Sequence, residues 1–224
     1  MKNKKYIDEW YENNLLSNYD KYISKTAVYC NDRSVPNNIY STSNDFDYST
    51  YTRLVTNKIP SYKCGANASN GLFESIQSVA DKFSASTDGG GNGQLKYPIA
   101  LMTADEVSFA GGVSDTSLSS PYAWYYINSK GTSITGVGTE QNSWWLLSSS
   151  FWSANITHVR IFVVTGSINI LTGKLYSMGD PLSNSKYYKD VVRPVISITK
   201  CAKVKSGNGT PESPYEIDEN SCSK

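Results

Sequence analysis

Hydrophobic positions along the chain recur with two periods, and the change between them divides it. In YIDEWYENNLL, residues 6 to 16, Tyr6, Ile7, Trp10, Tyr11 and Leu15 fall near one face at the 3.6-residue period, with Asp8, Glu9 and Glu12 away from it. This predicts a short amphipathic helix whose aromatic face is core. A second helix is expected over residues 72 to 83, where Leu72, Ile76, Val79, Ala80 and Phe83 keep helical spacing. A short strand over residues 97 to 102 then runs into Thr103, and Thr103-x-x-Glu106 is a capping box that opens a third helix, ended by Gly111 and Gly112. Asp105 and Glu106 are first-turn acids that the helix dipole favours; adjacent helical residues point about 100° apart, so they do not form a catalytic pair.

Further on, period 2 takes over. In residues 119 to 131, Tyr122, Trp124 and Tyr126 would face one side and Ala123, Tyr125 and Ile127 the other. Trp145, Leu147 and Ser149 alternate with Trp144, Leu146 and Ser148, and Val159, Ile161 and Val163 with Arg160, Phe162 and Val164. Both faces of the latter run are apolar over much of its length, which fits a central strand. Gly166 turns the chain into SINILTG, and VVRPVISITK is expected to close the sheet, bulged or at an edge because Pro194 cannot donate a ladder hydrogen bond.

Between these segments the chain is polar. Residues 18 to 35 read as a β-leaning segment ending in an Asx-type turn at Asn31, Asp32 and Arg33, whose arginine pairs with a local acid. Residues 36 to 51 read as a long loop, residues 60 to 70 as another carrying Cys64, and STDGGGNGQ, residues 86 to 94, as a mobile surface turn. That glycine run has no strand before it and no Lys-Ser/Thr pair after it, so it is not a phosphate loop. The pattern predicts an α+β domain over residues 1 to 200 with a hairpin-like appendage over 201 to 224.

Composition changes this picture in two ways. The 224 residues carry 21 basic and 20 acidic groups, a net charge of +1 without any run of basic residues, which removes nucleic acid as a partner. Apolar runs such as 161 to 164 fall far short of the ~20 residues needed to cross a bilayer. Seventeen tyrosines among many Ser, Asn and Thr suit adaptable contact surfaces, and equally suit β-rich extracellular proteins in general. Four cysteines, Cys30, Cys64, Cys201 and Cys222, allow three pairings, and proximity in sequence favours Cys30 with Cys64 and Cys201 with Cys222. Neither spacing matches a metal or redox motif, so bridges in an oxidising compartment are expected. MKNKK is not followed by an apolar core, so an exported form would carry its signal or anchor ahead of this stretch.

Catalytic chemistry finds few candidates. His158 is the only histidine, stands at the start of a strand without a nucleophile motif beside it, and cannot build a multi-histidine metal site. The serine run at 148 to 150 lacks the Gly-x-Ser-x-Gly context of a nucleophile elbow.

The order of the pieces is similar to that of a group of secreted domains from Gram-positive, largely gut-dwelling bacteria that have no established activity. The segments that carry it are WYENN at 10 to 14, CNDRS at 30 to 34, TADEVSFAG at 103 to 111, WWLLSS at 144 to 149, VRPVI at 192 to 196 and GNGTPESPY at 207 to 215. That pattern resembles in turn the C-type lectin-like fold of the formylglycine-generating-enzyme branch, in which a capped helix, a tryptophan segment and a final arginine-bearing strand match residues 103 to 110, 143 to 149, and Val192 with Arg193. The resemblance implies two short helices plus a capped third helix packed on small mixed or antiparallel sheets. It implies no copper chemistry, because the matching region has no cysteine. Lectin-type calcium signatures are absent and Asp45, Asp47 and Asp115 stand as isolated loop acids.

The same scaffold carries receptor-binding proteins diversified by reverse transcription, and their variable surface would correspond to residues 142 to 188. The expectation is therefore an extracellular or cell-surface, monomeric, non-enzymatic module that binds a protein or carbohydrate ligand without cofactor or metal. Trp124, Tyr125, Trp144, Trp152, Asn155, Tyr187 and Tyr188 are the candidate contacts. A hydrolase-like enzyme on this fold and a structural domain of a pilus or cell-wall protein stay open as alternatives.

Overall fold

A computed structural model describes residues 2–36, 40–64, 81–110, 112, 144–164, 175–179, 192–210 and 213–222. They form an α+β protein in two compact units interleaved along the chain: residues 1–29, 83–100 and 194–224 make one, residues 30–82 and 101–193 the other.

The first unit begins with α1 (Lys2–Asn14), longer at its start than the apolar period predicts. Ile7 and Tyr11, one turn apart, are buried, while Tyr6 and Trp10 are exposed at 61% and 40%, so the core face is half as wide as expected. Tyr11 stacks on Tyr97 at 5.0 Å between ring centroids and packs with Ile23 and Ile99. Its hydroxyl donates to Asp20 Oδ1 at 2.7 Å. Burial, and then the Asp20 charge, push the Tyr11 hydroxyl far above its ordinary pKa, so it stays a donor.

The predicted β-leaning segment yields only β1 (Tyr29–Cys30), one of a three-stranded sheet with β3 (Lys82–Ser84) and β4 (Gly93–Gln94). β3 begins where the second helix was expected to end; the rest of that helix lies outside the described residues. β3 and β4 pair in parallel, and the turn between them contains a short 3-10 segment, Thr87–Gly89. The segment expected as a surface turn is a turn through Gly91, and only its end, Gly93–Gln94, joins the sheet. β5 (Ala100–Leu101) pairs with β9 (Pro194–Val195) in a separate two-stranded sheet, so VVRPVISITK does not close the main one. Pro194 opens that short strand, a position compatible with its missing donor.

β10 (Val204–Ser206) and β11 (Glu216–Ile217) form the antiparallel tail hairpin expected from the turn residues between them. Gly207 has φ +92°, and a Cβ there would lie 1.9 Å from the Pro214 carbonyl oxygen, so this close approach admits only glycine.

The second unit holds the main sheet, in the order β2 (Phe46–Asp47), β6 (Trp144–Ser153), β7 (His158–Val164) and β8 (Leu175–Gly179), antiparallel throughout. β7 is central, as its apolar run predicts. Residues 36 to 51 are not one long loop, because Phe46 and Tyr48 alternate with Asp47 and add an edge strand to β6. A helical turn α2 (Ser49–Tyr51) follows, continuing into a π-helical turn at Thr52–Thr56.

Alternation in β6 holds from Trp144 to Ser148 and fails at Ser149 and Ser150, where the register with β7 shifts and all three serines are buried. The regular part of the strand is what meets the helix. The Ser148 hydroxyl accepts the Ala104 amide at 2.9 Å and Leu147 N–H donates to the Met102 carbonyl at 2.8 Å, fastening the sheet to α3 (Ala104–Phe109). Leu54, Val107, Leu146, Phe162, Val164 and Leu175 fill the space between, each contributing roughly 1.5–3 kcal/mol by burial.

α3 has the predicted capping box. Thr103 Oγ1 accepts the Glu106 amide at 3.1 Å, and Glu106 Oε2 accepts the Thr103 amide at 2.7 Å. The helix ends at Phe109 with Ala110 as its C-cap, and Gly112 N–H donates back to the Val107 carbonyl. Both expected disulfides are present, with Cα separations of 5.5 Å for Cys30–Cys64 and 5.0 Å for Cys201–Cys222. Among the described residues no helix is long and apolar enough to cross a membrane. Thr103→Ala should lower stability by about 1 kcal/mol in urea titration at unchanged slope; an unaltered midpoint would show that the box does not hold the helix.

Candidate ligand-binding surface

Two groups of exposed side chains in the second unit rest on scaffolds of different kinds, one polar and one aromatic. The first scaffold is centred on Arg53 in the π-helical turn. Its Nη1 donates to Asp32 Oδ2 at 2.7 Å, while Nη2 and Nε donate to the two Asp105 oxygens at 2.7 and 3.0 Å. The three side chains are 13%, 5% and 8% exposed. One cation thus lies between two anions, and the surplus negative charge is met by neutral donors. Asp32 Oδ1 accepts the Ser34 amide and hydroxyl, and Asp105 Oδ1 accepts the Ser61 amide at 2.8 Å. Burial works against the Arg53 charge, but the Asp105 bonds and the two carboxylate charges outweigh it and hold its pKa above the ordinary value.

The Asx turn at Asp32 is the one the sequence predicts, yet the arginine that answers Asp32 is Arg53 rather than its neighbour Arg33. Burial lowers the pKa of Arg33, with the charge of Asp81 opposing.

What this scaffold carries outward is the loop of Lys58 to Lys63. With Ser61 bonded to Asp105, Tyr62 lies flat on Phe109 at 3.8 Å between centroids and 5° between planes. The pair remains open, Tyr62 at 76% and Phe109 at 43% exposure, and Ile59 in the same loop is exposed at 67%. None of these three was anticipated. Phe109 was legible in principle, since it stands two residues beyond Val107 and so falls on the opposite side of a helix whose buried face is Ala104 and Val107.

The second scaffold is aromatic. Phe46 contacts Tyr40 and Tyr48, each at 5.3 Å, and Trp152 at 6.3 Å, over Val35 and Val159. It underlies the turn of Ala154 to Thr157 that joins β6 to β7, where the Ala154 amide donates to Asp45 Oδ1 at 2.7 Å. Asn155 and Ile156 are exposed at the tip, and Thr157 takes φ +55°. Trp152 is half-buried and its indole nitrogen is enclosed with no acceptor among the described residues, so it serves more as support than as contact.

Trp144 is a correction to the expected contacts. It is 2% exposed within the Leu54–Leu175 cluster, with the Arg193 guanidinium 3.9 Å from its ring centre, because the first position of β6 points into the core. Burial pushes the Arg193 pKa down to about 10. Trp124, Tyr125, Tyr187 and Tyr188 lie outside the described residues. His158 opens β7 opposite Ser153, and its Nδ1 bonds the Ile156 carbonyl, fixing the ring to its own turn. Among the described residues no three His, Cys, Asp or Glu side chains converge as a metal site would require.

The chain matches no known family, no curated protein and no solved structure.

Burial, then the charge of Tyr40, raises the Tyr48 hydroxyl from 10.0 to about 12, with Arg33 opposing. Tyr48 keeps its proton in the folded protein while the unfolded chain loses it, so its contribution is complete below pH 10 and is lost as pH rises to about 12. Tyr48→Phe should reduce the fall in stability between pH 9 and about 12 by roughly 2 kcal/mol, as read by urea titration at each pH; parallel profiles of the variant and the parent would contradict the burial assigned to this ring.

Proposed function

We propose that the protein is an exported, non-enzymatic ligand-binding or adhesion module, built on a C-type lectin-like scaffold and displayed at a bacterial or phage surface. The observation that carries this reading is the Tyr62–Phe109 pair, a rigid apolar surface left open above a buried ion-pair network. Aromatic rings with two side-chain torsions each give large contact area at small entropic cost, and they dominate binding energy where they occur at interfaces. Ile59 beside them adds an aliphatic surface, which suits a protein partner better than a sugar.

The ionisable groups support binding over chemistry. Asp32, Arg53 and Asp105, the buried acid–base cluster, spend their hydrogen-bonding capacity on one another and on Ser34, Ser61 and Thr50. His158 is bonded to a backbone carbonyl, so the hydrolase alternative gains nothing from its geometry. Two disulfides fit an oxidising compartment.

A protein-partner pull-down and a glycan array, run with the parent, Tyr62→Ala, Phe109→Ala and an Asn155→Ala/Ile156→Ala double variant, test this reading. A bound partner should lose about 2 kcal/mol, roughly thirtyfold, with Tyr62→Ala or Phe109→Ala. Binding that persists unchanged in all three variants would remove both surfaces from the function.

A further inference from the structure

The first unit contains a cleft of about 600 Å³ beside the tail hairpin, within the size range of small-molecule sites. Tyr19, Lys205, Glu216, Ile217, Asp218 and Glu219 line it. Its walls are fixed by bonds that a ligand would not need. The Tyr22 hydroxyl donates to the Glu219 carbonyl at 2.8 Å, and Asp218 N–H donates to the Lys203 carbonyl at 2.8 Å. Asp218 Oδ1 accepts the Asn220 amide at 3.0 Å, and the Cys201–Cys222 disulfide closes the segment behind. The Tyr22 ring is already covered by the Lys21 ammonium, 4.7 Å from its centre. A wall so held needs little ordering when it binds.

The groups left over define the ligand. Glu216 is engaged by the Ser206 hydroxyl at 2.5 Å. Lys205 is the extra residue of a bulge, since Val204 pairs with Ile217 and Ser206 with Glu216, and it lines the cleft. Its ammonium and the Glu219 carboxylate have no partner among the described residues. The cleft and its rim carry two ammonium groups, Lys205 and Lys21, and three carboxylates, Glu216, Asp218 and Glu219, so a phosphate faces three like charges and an amine two, and neither is well matched. An uncharged ligand that both donates and accepts is matched: hydroxyl groups could take Lys205 as donor and Glu219 and Asp218 as acceptors. Tyr19, 52% exposed, offers an aromatic face for the C–H side of a ring.

We infer that this cleft is a binding site for a neutral saccharide. It lies in a different unit from the aromatic surface proposed above, and it stands or falls without that surface.

The test is amide-shift titration by NMR with maltose, lactose, cellobiose and N,N′-diacetylchitobiose, each to high millimolar concentration, and with propylammonium and inorganic phosphate as charged probes. At least one sugar should shift the Tyr19, Lys205 and Glu219 amides. Tyr19→Ala, Lys205→Met and Glu219→Gln should each weaken that sugar by about tenfold or more, while Tyr62→Ala leaves it unchanged. These three side chains are exposed, and an undisturbed spectrum elsewhere verifies the fold of each variant. The inference is overturned if no sugar shifts these amides, if the shifts survive all three substitutions, or if propylammonium binds instead and tightens in Lys205→Met.

Discussion

The second unit depends on one buried arginine. From the π-helical turn, the Arg53 guanidinium joins the Asx turn after β1 to the first turn of α3, and Asp105, which it holds, accepts the Ser61 amide of the loop of Lys58 to Lys63. Removing one partner from such a network costs about 3–5 kcal/mol, because the remaining charge stays buried, whereas a well-packed apolar replacement of the whole can be neutral. Its contribution is therefore placement more than net stability. It fixes where the loop lies against α3, and that placement brings Tyr62 onto Phe109.

The sheet contributes by a parallel route. Alternation along β6 turns Ser148 towards the start of α3, where a helix has amide groups without intrahelical partners; Ser148 satisfies that of Ala104 and the capping box that of Glu106. The helix is thus fixed at its start by hydrogen bonds from two directions and along one side by Val107 in the core. Its opposite side is free to present Phe109. A surface built this way is apolar and open yet rigid, which is the combination that binding without large ordering cost requires.

What was legible in the sequence follows from where the cause is local. The capping box depends on two residues three apart, β7 on a run apolar on both faces, the Asx turn on Asp32 and its neighbours, and the pairing Cys201–Cys222 on a short separation; each is present as read. Elements fixed by distant partners were not legible. Phe46 becomes an edge strand only because Trp152 and Phe151 stand opposite it, and Pro194 pairs with β5 rather than with the main sheet. Trp144 and Trp152 look alike in sequence, but one points into the core and the other is half-buried over Phe46. Asp105 reads correctly as a first-turn acid and still gives no sign of Arg53, which lies 52 residues earlier. The candidate surface was legible least, since exposure of Tyr62 is a property of the loop that carries it.

Native-state hydrogen exchange in an Arg53→Met variant tests the dependence most directly. With the guanidinium gone, the Ser61 amide and its loop should lose protection, while the β6–β7 ladder keeps it, and the contacts between the Tyr62 and Phe109 rings should weaken in the same sample. Full protection at Ser61 with the ring contacts intact would contradict the claim that Arg53 holds the aromatic pair in place.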